Sequence, residues 1–273
     1  MDFGVKHNVL FAQALGLEYL GENAVHAGDF VAGIEYAERE REIAATLQSR
    51  ERRGWTHYIA AQCAFYSGDP TRAEREFVEG ITLAESIGEL RLSSLLKGSV
   101  AVLRADQASD CRAGGVSHGY DAPAPTGSGI DGVDGQRLLD EALQTALDNF
   151  QAGETSDLVY TRFEGRRCLA AVRFRRGEFD EAERLCAAAS ELVSGTESRL
   201  SRLWLGPLFI EALLAAGLRA EAEGNPDEAA AKRGLAAAHL ATYQELVAEC
   251  QSPRFTREAT RLADLIALSF KAF

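Results

Sequence analysis

The sequence predicts an all-α fold of stacked antiparallel helix hairpins. Three observations carry this. Glycine corners of one design recur along the chain, apolar residues between them repeat at helical spacing, and no segment sustains the period-2 alternation of a strand. The corners are "HAGDFVAGIEYA", "YSGDPTRAEREF", "RRGEFDEAERLC" and "AEGNPDEAAAKR", with glycines at Gly28, Gly68, Gly177 and Gly224. Each glycine precedes a short polar or acidic residue and then Phe or Pro, and an alanine follows at Ala32, Ala73, Ala182 and Ala229. Glycine ends one helix in a left-handed turn, Asp or Asn can cap the next, Pro fits its first turn, and alanine lets two helices approach closely.

The elements follow in order. Helices are predicted near 7–27, 31–48, 52–67, 70–87, 89–107, 136–152, 155–176, 179–193, 197–223, 226–250 and 254–272, about five hairpins and a closing helix. In the third, Trp55, Ile59, Ala60, Cys63 and Ala64 form one apolar face. In the eighth, Phe179, Ala182, Leu185, Cys186, Ala189 and Val193 do the same. Pro207 after Gly206 predicts a kink or break in the ninth. In the last, Ala259, Leu262, Ala263, Ile266 and Phe270 share a side, and "LIALSFKAF" offers a face for a cap or for a homodimer.

Residues 108–136, rich in Gly, Asp, Ser and Pro, interrupt the array and read as a flexible loop or a lid. They divide the chain into hairpins at 1–107 and 137–273.

Composition narrows the function classes. The 273 residues carry a net charge of −12, which argues against a nucleic acid backbone or an anionic membrane surface as partner. Five cysteines, Cys63, Cys111, Cys168, Cys186 and Cys250, form no C-x-x-C pair and read as reduced thiols of a cytoplasmic protein. The opening "MDFGVKHNVLFAQALGLEYL" lacks a basic start and a small-residue cleavage site. No window of 18 uncharged apolar residues is read as a membrane span.

Chemistry-bearing motifs are few. The histidines His7, His26, His57, His118 and His239 fall in no metalloprotease or deaminase pattern. The glycines of "CRAGGVSHGYD" follow no strand, and "GIDGVDG", with Asp131 and Asp134, lacks the closing Glu of a calcium loop. No metal, cofactor or catalytic residue is assigned. The strongest pattern is "YTRFEGRRCLAAVRFRRG", which places Arg162, Arg166, Arg173 and Arg176 along one helical strip beside Tyr160 and Phe163. One reading pairs the strip with Glu164, Glu178, Asp180 and Glu181 as a solvated face. The other makes it a surface for carboxylates, to which Arg binds in a bidentate way, joined from the first half by Arg52, His57, Tyr58 and Gln62.

Two hairpins resemble the tetratricopeptide repeat. One carries Trp55, Ala61, Tyr66, Gly68, Asp69, Ala73, Phe77 and Ala84 in the order of that family's pattern, the other Tyr160, Gly165, Leu169, Phe174, Gly177, Phe179, Ala182 and Ala189. The steps depart from the family's period of about 34 residues. They are 40 residues from Gly28 to Gly68 and 47 from Gly177 to Gly224. Longer units of this kind resemble the divergent repeats in sensor and regulatory regions of bacterial signalling proteins. The resemblance implies a right-handed α-solenoid that binds a peptide or protein segment, here with acidic groups, in a concave groove without catalysis. The alternative is a small-molecule sensor or enzyme with a pocket between the halves, closed by loop 108–136 through His118, Tyr120 and Asp121.

Overall fold

The computed structural model describes residues 9–113, 132–194, 196 and 198–271. They form eleven helices and no strand: α1 (Leu10–Ala27), α2 (Phe30–Thr46), α3 (Arg50–Ser67), α4 (Pro70–Ile87), α5 (Leu90–Ala113), α6 (Gly132–Glu154), α7 (Val159–Arg175), α8 (Phe179–Ser194), α9 (Arg199–Ala222), α10 (Pro226–Cys250) and α11 (Pro253–Lys271). The chain divides into two compact units, Met1–Leu138 and Leu139–Phe273. In the first, each helix from α2 to α5 packs on its predecessor, α3 also touches α1, and α5 touches α3. In the second, α7 to α11 pack in succession, with α9 against both α7 and α11.

The corners do what their residues dictate. Gly68 sits at φ 85°, its N–H bonds the Phe65 carbonyl at 3.2 Å, and Asp69 N–H bonds the Ala64 carbonyl at 2.9 Å. The Asp69 carboxylate then accepts from Arg72 N–H at 3.0 Å, and Pro70 opens α4. Gly28, Gly177 and Gly224 share the left-handed conformation, and so does Gly88 between α4 and α5, a corner outside the four copies of the motif. Asp29 caps α2 through Ala32 N–H at 3.1 Å. Asn225 makes no side-chain cap on α10, so Pro226 and the acidic Asp227 and Glu228 start that helix.

The small residue that permits close helix approach stands five positions after each glycine. Ala73, Ala182 and Ala229 are there, fully buried. In the first corner that position is Gly33; Ala32 is only half-buried. A methyl on Gly33 would lie 2.5 Å from Cys63 Sγ. The predicted faces of α3 and α8 are core: Ile59, Cys63, Ala182, Cys186 and Ala189 are all solvent-excluded.

Three boundaries differ from the sequence reading. Helix α9 continues through Pro207 without a break. Helix α5 runs to Ala113 and α6 begins at Gly132, so both ends of the 108–136 stretch are helical. Gly132 and Gly135 hide that start from propensity, while Asp134 in the first turn favours it. His118, Tyr120, Asp121 and Asp131 lie outside the described residues. On α11, Phe255, Ala259, Leu262 and Ile266 face inward, whereas Leu268 and Phe270 are exposed. Helix α9 is long and apolar enough to cross a membrane by length and composition, and 61% of its apolar window is buried within the structure.

Helix α7 lies against α6 through Gly165, where a methyl would meet Phe150 Cα at 3.0 Å and the Asn149 carbonyl oxygen at 3.2 Å. Backbone cannot yield as a side-chain tip can. Gly165→Ala is therefore expected to lower stability by about 1–2 kcal/mol despite alanine's better helix propensity. Gly234→Ala, with nothing within 4 Å of the new methyl, is expected to raise it by up to about 1 kcal/mol. Urea unfolding followed by circular dichroism checks both.

Candidate functional site

In the first unit the odd-numbered helices meet along a polar seam. Apart from Trp55, it is built from residues that helical periodicity alone assigns to solvent. Glu18 and Glu22 come from α1, Arg52, Trp55 and Gln62 from α3, and Arg91 and Ser99 from α5. Arg52 pairs with Glu18, and both are only 6% exposed. Its other terminal nitrogen reaches Glu51 at 2.8 Å, and its guanidinium lies 5.8 Å from the Phe11 ring. Arg91 covers Trp55 at 5.2 Å, and Tyr58 meets the Trp55 ring edge-on at 5.8 Å. Gln62 Nε2 donates to Ser99 Oγ at 2.9 Å.

Beneath the seam, α2 contributes Glu40, which has no exposed surface. Neither of its carboxylate oxygens has a hydrogen-bond partner, and Arg52 Nε and Gln62 Oε1 are likewise buried without one. Burial pushes the Glu40 carboxyl up to about 8; nearby Glu18 and Glu22 add to the rise and Arg52 opposes it. Burial also takes Glu18 up to about 7 against the attraction of Arg52.

The sequence-predicted residues of this half separate. Arg52 and Gln62 lie in the seam and Tyr58 flanks it. His57 turns to α4, where its Nδ1 donates to Glu76 Oε2 at 2.8 Å. Arg41 of α2 reaches the same oxygen at 3.2 Å. Burial would raise the Glu76 carboxyl, but the His57 hydrogen bond and the Arg41 charge outweigh it and hold it below its ordinary value.

In the second unit the arginine strip of α7 is largely met by carboxylates of its own unit. Arg166 reaches Glu154 at 2.5 Å and lies 5.8 Å from the Phe150 ring. Arg173 pairs with Glu178, and Arg176 with Glu178 at 2.8 Å and with Asp140 at 2.6 Å. Arg162 makes no ion pair among the described residues, and its Nε is buried without a partner. Tyr160 sits 6.4 Å from Phe163, which is core at 1% exposure. Arg167, outside the predicted set, bonds Glu164 at 2.8 Å and lies 5.3 Å from Trp204, with Arg254 at 5.4 Å from the same indole.

The buried thiols are chemically quiet. Burial raises Cys63 and Cys168 to about 12 and pushes Cys186 up further, so the thiolate is suppressed in each. No family model matches the chain, and no curated protein matches it in sequence.

Proposed function

We propose that the chain is a noncatalytic scaffold of the tetratricopeptide type, a right-handed solenoid of hairpins that captures a segment of another protein. The α1–α3–α5 seam is its recognition face. One observation carries this reading: the seam joins aromatic and charged side chains on three helices to buried polar atoms that lack partners. An extended segment offers backbone N–H and C=O groups in alternation, which Gln62 Oε1 and Arg52 Nε can meet once their side chains turn outward from their buried positions. The strip on α7 is a weaker candidate for acidic groups, because a ligand there would have to displace Glu154 and Glu178.

Photo-crosslinking in cells tests the reading. A photoreactive residue at position 58 or 91 is expected to trap one defined partner. The same residue at Val31 or Leu235, exposed and outside the seam, is expected to trap none. Identical product from all four positions, or none from any, would sink it.

A further inference from the structure

We propose that His57, Glu76 and Glu79 form a binding site for a divalent first-row transition metal such as Zn²⁺. The proposal does not rest on the partner-binding reading. His57 Nδ1 stands 2.8 Å from Glu76 Oε2 and 3.9 Å from Glu79 Oε2, and all three donor atoms lie within 4.8 Å of one another. Donors bound to zinc at about 2.0–2.2 Å are separated by roughly 3–4 Å, so small side-chain rotations close the site.

The surroundings suit a cation. Glu76 and Glu79 stand one helical turn apart on α4, and His57 faces them from α3. Gly80 makes the approach possible, since a methyl there would lie 3.1 Å from His57 Cβ. Imidazole with two carboxylates selects zinc, cobalt or nickel over the harder magnesium and calcium, and the positions left over go to water.

Two groups now occupy the place of the metal. The proton on His57 Nδ1 points at Glu76, and the Arg41 guanidinium shares the same oxygen. Metal binding takes the Nδ1 lone pair, the ring proton passes through solvent to Nε2 so that the imidazole stays neutral, and Arg41, whose side chain is 38% exposed, gives up the shared oxygen. The ion then links α3 to α4 in place of the α2–α4 ion pair.

The test uses the full chain without a histidine tag, stripped of metal and titrated with Zn²⁺ in a calorimeter at pH 7.5. Cobalt substitution, followed by visible absorption, reads the ligand set. One equivalent of zinc is expected to bind, and His57→Ala and Glu79→Gln are each expected to weaken it at least about tenfold. Glu79 is exposed, so its variant keeps the fold and the test stands even if His57→Ala does not. Arg41→Gln is expected to bind zinc as tightly or more so. Absent binding, equal affinity in parent and Glu79→Gln (an adventitious ion only), or weakened binding in Arg41→Gln would each overturn the site.

Discussion

Arg52→Ala is expected to destabilise the unit built from α1–α5 by about 3–5 kcal/mol at pH 8, the range for breaking a buried ion pair by removing one partner. Arg52 and Glu18 are both nearly excluded from water. Without the guanidinium, the Glu18 carboxylate stays buried beside Glu22 and Glu40 with its main counter-charge gone. The cation over the Phe11 ring is lost as well. The carboxyl has one escape, which is to take up a proton. Its titration already lies near 7 with Arg52 present, and it moves higher without it. The loss should therefore shrink as the pH falls to 5.5. Removing both charges with Glu18→Leu and Arg52→Leu together should recover part of the stability, because the Glu18 charge goes with its partner, and more of it at pH 5.5, where Glu40 is protonated. Urea unfolding of parent, single and double variants at the two pH values checks this. A single variant within about 1 kcal/mol of the parent at pH 8 would show that the pair is effectively solvated.

The contrast between Arg52 and the α7 strip shows what a linear reading can and cannot see. Corners are local chemistry, so Gly68-Asp69-Pro70 announced its turn, its cap and the start of α4. In the first corner the pattern's alanine is Ala32, although Gly33, five positions after Gly28, is the residue that packs. Pairing is not local. The strip looked available because its partners sit elsewhere: Glu154 lies twelve residues before Arg166 and Asp140 thirty-six before Arg176. Of the four carboxylates that the sequence sets against the strip, Glu164, Glu178, Asp180 and Glu181, Glu178 is the one that meets it at Arg173 and Arg176. Glu18 meets Arg52 across thirty-four residues. Periodicity files Glu18 and Glu40 with the solvent-facing carboxylates, since amphipathic patterns grade residues by type and not by what the next hairpin covers. His57 was noticed, but Glu76 and Glu79 became its neighbours only when Gly80 let α4 close on α3.

Glu40 makes the stability of this seam fall as the pH rises. In the unfolded chain its carboxyl titrates near 4.5, and in the folded chain near 8. Between those values the folded state holds a proton that the unfolded state has released. Folding then takes up a proton, and stability falls as pH rises, by at most about 1.4 kcal/mol per pH unit for one group. The penalty is absent below about pH 4.5 and complete above about pH 8. Glu18 contributes in the same direction up to about pH 7. Glu76, held low, and His239, lowered by burial, act in the opposite sense, so the raw pH profile of the parent mixes several groups. The difference between parent and Glu40→Gln isolates one of them, because glutamine keeps the shape of the protonated acid and cannot ionise. We expect the variant to match the parent near pH 5 and to exceed it by about 2–4 kcal/mol at pH 8. Glu22, Arg52 and Arg91 face the same region and remain in both proteins, so their charges cancel to first order in the difference. A gap that is constant from pH 5 to pH 8 would mean that the Glu40 carboxylate is as well solvated folded as unfolded. The seam would then have no uncompensated acid for a ligand or a proton to satisfy.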